Sequence, residues 1–183
     1  MGKEKDVQII EAATAVFLRY GFRRTTMGDL AQAAGISRPA LYLRFCNKEN
    51  IFQKVFEAFA ARTLEEIRQG LPGCATPREQ LRFAFECWTV RPFTLMQGSP
   101  DARDLASCSL PFAESLKVRT YAAFEALLAP ILGTLPAFRG QSEAERARVA
   151  HVLAISAHGF KGEARDVEEL RGMIDTLLAL ASA

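Results

Sequence analysis

Two helix starts and one glycine stop fall between Thr25 and Phe45, a spacing that leaves room only for two short helices meeting at a turn. Thr25 or Thr26 supplies a hydroxyl that can accept from the free amides of the next turn, and Leu30, Ala31 and Ala34 then recur on one face. Gly35 should end that helix, because glycine tolerates the left-handed backbone that redirects a chain, and Ile36 is apolar enough to pack the turn inward. Ser37 caps the second helix. Pro39 falls in its first turn, where a missing amide hydrogen costs nothing, and Leu41 and Phe45, four apart, form its buried stripe. Arg38, Ala40, Tyr42, Leu43 and Arg44 are left on the outer surface of a helix narrow enough to enter a DNA major groove.

A capped helix pair is common in α-helical proteins, so the flanking sequence matters. Before the pair, Val7, Ile10, Ala13, Val16 and Phe17 follow the spacing of a helix with one buried face, ending at Tyr20-Gly21-Phe22. After it, Asn47 caps a long helix whose apolar positions run Ile51, Phe52, Val55, Phe56, Phe59, Thr63, Leu64, Ile67 and Leu71. Ending near Gly70, that rod would be roughly 35 Å long at about 1.5 Å per residue.

Taken together, Ile10-Glu11-Ala12-Ala13, Phe17 to Phe22, Thr25-Thr26-Met27, Ile36 to Tyr42, Phe45 and Asn47 to Phe52 resemble the DNA-binding domain of the TetR family of bacterial transcriptional regulators. The resemblance covers residues 7–56. It implies that Thr26, Tyr42 and Lys48 touch phosphates, and that Ser37, Arg38, Pro39, Leu43 and Arg44 lie in or near the base-reading surface. Two positions depart from the family pattern: an aromatic or polar residue is common where Leu43 stands, and a histidine where Arg44 stands. The operator sequence therefore does not carry over. Leu43 suits a thymine methyl, and Arg44 suits guanine or a phosphate.

The net charge of +2 does not point to nucleic acid by itself. Its distribution does: residues 1–50 carry eight basic against five acidic side chains, a basic head on a nearly neutral body. At 183 residues, 49% of them hydrophobic, the chain can hold a small domain over 1–50 and a larger one over 51–183. No apolar run approaches the roughly 20 residues that span a bilayer, and the N-terminus lacks the pattern of a signal peptide, so no membrane partner and a cytoplasmic location are expected. Cys46, Cys74, Cys87 and Cys108 are widely spaced, which indicates neither a zinc site nor a disulfide framework. His151 and His158 share a helix face, as core or interface residues rather than metal ligands. No cofactor is expected.

The body reads as helical throughout, with elements over Pro77–Thr89, Pro100–Ser107, Leu110–Leu132, Ser142–Lys161 and Asp166–Ala181, and with Pro92, Gly98 and Pro100 as dividers. Strand alternation is missing, so the fold class is all-α: an N-terminal helix-turn-helix domain joined by a long helix to a helical ligand-binding and dimerisation domain. Ala147, Ala150, Ala154 and Ala157 make a small-residue stripe beside Leu153, and Leu170, Met173, Ile174, Leu177 and Leu178 cover a wide arc. Either these residues form the core of one chain, or Ala150, Leu153, Ala154, Ala157, Leu170, Ile174 and Leu177 form a four-helix interface between two copies, as the resemblance implies. A symmetric dimer would present two recognition helices to half-sites one DNA turn, or a multiple, apart.

An aromatic set in the body offers a pocket for a small-molecule effector, with Phe59, Trp88, Phe93, Met96, Tyr121 and Phe124 as lining candidates. The expected function is a homodimeric repressor released from a palindromic double-stranded DNA operator by an apolar or amphipathic ligand. A DNA-binding protein without an effector is the main alternative. A helical enzyme is the other, and it lacks a paired acid and base, a nucleophile motif, a phosphate loop or a metal signature.

Overall fold

The architecture follows from where the first helix is forced to bend. In the computed structural model, which describes residues 2–97 and 113–182, α1 (Gly2–Arg24) is interrupted at Gly21, with φ 72° and ψ 171°. Only glycine occupies that region without strain. The break lets Thr25 Oγ1 donate to the Gly21 carbonyl at 2.7 Å, and it turns Phe22 inward against Phe17 and Phe52, with ring centroids 5.9 and 4.9 Å away. Thr25 is thus buried, and the cap of the next helix is Thr26.

α2 (Met27–Ala33) starts on a capping box: Thr26 Oγ1 accepts from the Asp29 amide, and the Asp29 carboxylate accepts from the Thr26 amide. It stops at Gly35, whose φ of 64° lets the Gly35 and Ile36 amides reach back to the carbonyls of Gln32 and Ala31. α3 (Arg38–Tyr42) is capped by Ser37, and α4 (Lys48–Gly70) follows. Leu30 and Leu41 are fully buried between them, packed with Ile9, Ala13, Phe17, Phe45 and Ile51 in one cluster.

The chain divides into two compact units, Met1–Ala61 with Leu95–Lys117, and Arg62–Thr94 with Val118–Ala183. The later elements are α5 (Pro77–Phe85), α6 (Arg91–Gln97), α7 (Ala113–Leu132), α8 (Glu143–Glu163) and α9 (Val167–Ser182). Among the described residues there is helix and no strand. Helix α7 follows the expected span from its first described residue. The expected short helix over Pro100–Ser107, the start at Leu110 and Cys108 lie outside the described residues.

Pro92 does not divide the helices as its composition suggests. Between α5 and α6 the backbone widens into a π-helical turn, Glu86–Val90, in which the Arg91 amide donates to the carbonyl of Glu86, five residues back. A proline just beyond has no amide to place in the ladder, and the wider turn absorbs that loss without ending the run.

In the second unit, Phe85, Phe124, Leu128 and Leu132 are fully buried, together with Leu81 and Ile67. Trp88 stacks on Phe124 at 4.7 Å and 8°, and Phe85 meets Phe124 edge-on at 5.3 Å. Both histidines of α8 bond to α7: His158 Nδ1 lies 2.8 Å from the Tyr121 hydroxyl, and His151 Nδ1 lies 2.9 Å from Glu125 Oε1. Helix α9 is tied to the π turn by the Arg171 guanidinium, whose Nη2 and Nε donate to the two Glu86 oxygens at 2.8 and 3.1 Å, and to α5 by Arg82–Asp175 at 2.8 Å.

The small-residue stripe, apart from the exposed Ala147, serves this same core. Ala150, Leu153, Ala154 and Ala157 of α8, and Leu170 and Ile174 of α9, are all buried within the single chain. They are used where α8 and α9 pack into their own unit. Leu177 differs: it is half-buried and lines an open groove of about 540 Å³ with Phe160, Met173 and Leu180.

Candidate nucleic-acid interface

The recognition turn is fixed from beneath and open from above. The amides of Leu41, Leu43 and Phe45 donate to Ser37, Pro39 and Leu41 carbonyls, and Leu41 and Phe45 are buried. With those anchors set, Ser37, Arg38, Pro39, Tyr42 and Leu43 are exposed. Leu43, at 89%, is the most exposed of the large apolar side chains among the described residues. A leucine held on a rigid turn with no protein contact to bury it is suited to apolar contact with a base edge.

Four residues assigned to DNA by resemblance also have partners inside the chain. The Ser37 hydroxyl accepts from the Ala40 amide at 3.3 Å, so it caps α3 as well as facing outward. The Thr26 hydroxyl donates to Asp29 Oδ2 at 2.7 Å. That bond and the Thr26 amide hold the Asp29 carboxyl below its ordinary value, with a smaller contribution from the Arg38 charge. The Lys48 ammonium donates to the Phe22 carbonyl at 2.8 Å and sits 4.4 Å above the Phe22 ring, closing the end of α1. Arg44 Nη1 donates to Asp6 Oδ1 of α1 at 2.5 Å. Asp6 is the residue that inspection of the sequence missed, since no local rule links positions 38 apart.

Thr26, Ser37, Arg38, Pro39, Tyr42, Leu43, Arg44 and Lys48 all belong to the first unit. The effector candidates fall in both units. Phe59 and Met96 belong to the first unit; Trp88, Phe93, Tyr121 and Phe124 belong to the second. Within the second, Trp88 meets the Tyr121 ring edge-on at 5.8 Å, and burial pushes the Tyr121 hydroxyl up to about 12 despite a hydrogen bond from Trp88. Tyr121 is therefore a neutral group at physiological pH, bonded to Trp88 on one side and His158 on the other. His158 is the polar member that the aromatic inventory omitted.

Of the thiols, Cys46 is exposed, Cys74 is half-buried and Cys87 is buried. Burial pushes the Cys87 thiol to about 11, which leaves little thiolate at neutral pH. No cluster of metal-ligating side chains occurs among the described residues, and no described helix is long and apolar enough to cross a membrane.

Comparison with known proteins agrees with this geometry. Residues 9–55 match the family model described as bacterial regulatory proteins, tetR family. The HTH-type transcriptional activator FasR of Mycolicibacterium smegmatis is 31% identical over 85 residues, 46% of this chain and 39% of that protein. The HTH-type transcriptional repressor KstR2 of Mycobacterium tuberculosis is 32% identical over 78 residues, 43% of this chain and 39% of that protein. The alignments thus span well under half the length of either relative. Over the whole fold, the transcriptional regulator FadR of Bacillus subtilis, solved in complex with stearoyl-CoA, superposes with a TM-score of 0.61 at 18% identity, covering 97% of both chains. Residues 9–55 thus match the tetR-family DNA-binding domain, and the chain as a whole shares the fold of a solved transcriptional regulator.

Proposed function

We propose that this chain is a sequence-specific DNA-binding transcriptional regulator that acts as a homodimeric repressor on a palindromic operator. The observation that carries the proposal is the contrast within α3 and its exit: Leu41 and Phe45 fully committed to the core, and Arg38, Pro39, Tyr42 and Leu43 presented outward on a backbone that cannot drift. Thr26, Tyr42 and Lys48 contact phosphate; Ser37, Arg38, Pro39 and Leu43 lie in or near the base-reading surface, and Arg44 contacts guanine or phosphate. Preorganised readers of this kind gain affinity because little ordering is left to do on binding.

The second copy docks on the outer faces of α8 and α9. Val152, Ile155 and Leu180 are exposed there, at 53%, 47% and 74%, and the groove lined by Phe160, Met173, Leu177 and Leu180 is apolar. An exposed apolar set on two adjacent helices is the kind of surface that a partner covers. The effector is an apolar or amphipathic molecule received in the helical body, where Trp88, Tyr121 and Phe124 supply aromatic surface and the Tyr121–His158 pair a polar handle. FadR, which shares the fold, was solved with stearoyl-CoA. Release from DNA requires that the ligand favour a body conformation with lower operator affinity, typically by about 1–3 kcal/mol.

Selection from a random-sequence DNA library with the purified protein tests the proposal. The expected result is a palindromic consensus bound by two copies, together with an altered preference at one position per half-site when Leu43→Ala is selected in parallel. A pool with no consensus would overturn sequence-specific regulation, and identical consensus sequences would remove Leu43 from the readers.

A further inference from the structure

Arg44 stands one residue beyond the outward-facing Leu43, on a turn whose backbone is fixed by the bond from the Arg44 amide to the Leu41 carbonyl. Its guanidinium is not simply offered to solvent. Nη1 donates to Asp6 Oδ1 at 2.5 Å, and the Arg44 and Asp6 side chains are 29% and 42% exposed. The pair therefore lies at the surface where a phosphate can approach. It joins the exit of the recognition helix to the N-terminal part of α1, two segments far apart in sequence.

We infer that Asp6 is an intramolecular competitor for Arg44 and so a brake on sequence-independent DNA binding. The inference rests on the DNA-binding reading proposed above. Carboxylate and phosphate oxygens make the same charge-assisted bonds to a guanidinium, and Arg44 cannot give its full charge to both. With Asp6 in place, a phosphate arriving at Arg44 must displace a bonded carboxylate and then sit beside its negative charge. Non-specific binding is essentially all phosphate neutralisation, so weakening one cation lowers affinity for every sequence. A partly exposed ion pair is weak enough to yield when other contacts fix the protein in register.

The test uses the full chain as wild type, Asp6→Asn, Arg44→Ala and the double variant, binding a fluorescent random-sequence duplex over a range of salt concentrations. Asp6→Asn keeps the size of the side chain and removes its charge. It is expected to bind the random duplex about threefold more tightly and to steepen the dependence of log affinity on log salt by about one, the value for one added phosphate contact. In the Arg44→Ala background the same change should gain well under half of that, because its effect runs through Arg44. An equal gain in both backgrounds would overturn the inference and make Asp6 a general surface charge. Unchanged or weaker binding by Asp6→Asn would also overturn it, assigning Asp6 to fold support, which thermal melting of the same variant would register. Failure of all four proteins to bind any duplex would instead remove the DNA-binding reading itself.

Discussion

The recognition turn and the aromatic body use their apolar residues in opposite ways. In the turn, inward and outward roles are divided residue by residue: Leu41 is fully buried and Leu43, two positions on, is 89% exposed. In the body, Trp88 stacks on Phe124 and Phe85 meets it edge-on, and Ala150, Leu153, Ala154, Ala157, Leu170 and Ile174 pack into the same cluster. A short helix with a cap at one end and a two-residue stripe has one way to sit. A long helix with apolar residues most of the way round has several, and its neighbours choose among them.

That contrast is open to attack first where the body is densest. Phe124→Ala removes a fully buried ring stacked on Trp88 and met edge-on by Phe85, and it is expected to cost about 3–5 kcal/mol in chemical denaturation. A loss under about 1 kcal/mol would show that the aromatic set is a loosely filled pocket whose collapse replaces the ring. The next largest effect belongs to the first unit. Gly21→Ala forces a Cβ onto a buried residue at φ 72° and ψ 171°, for an expected loss of about 1–3 kcal/mol. A melting temperature unchanged by that substitution would mean that α1 can run straight without disturbing Phe22.

The smallest effect is electrostatic and tests whether the capping box matters to the turn. The Asp29 carboxyl is held below its ordinary value of 3.8, chiefly by the Thr26 hydroxyl and amide. A depressed folded value means that the stabilisation is fully present above about pH 4 and is lost as pH falls through that lower value. The stability difference between wild type and Asp29→Asn should therefore be constant near neutrality and close on acidification. A difference that persists in strong acid would assign the aspartate's effect to shape rather than charge.

Much of the first unit was legible because its signals are local. Thr26 to Asp29 and Ser37 to Ala40 are each a single turn, and Gly35 ends α2 by closing bonds to residues three and five back. Such bonds depend on neighbours in the chain, so composition and spacing reveal them. Asp6–Arg44 and Lys48 to the Phe22 carbonyl span 38 and 26 residues, and nothing in either local sequence marks them. In the body, the π turn that carries the chain past Pro92 was likewise hidden, since a proline in a helical pattern ordinarily reads as a break. The second histidine was visible but not its use, because its partner Tyr121 lies on another helix.

By itself, then, the sequence determined that the described chain is helical, where its capped helices begin, and which short segment faces outward. Caps, glycine stops and apolar spacing act within one or two turns, and their energies do not wait on the rest of the fold. Only the tertiary structure decided that six of the seven small and branched residues on α8 and α9 belong to their own core, that Lys48 closes α1, and that Arg44 is held by Asp6. The hydrophobic effect is non-directional and a carboxylate accepts from any nearby cation, so the choice of partner falls to whichever elements packing has brought together.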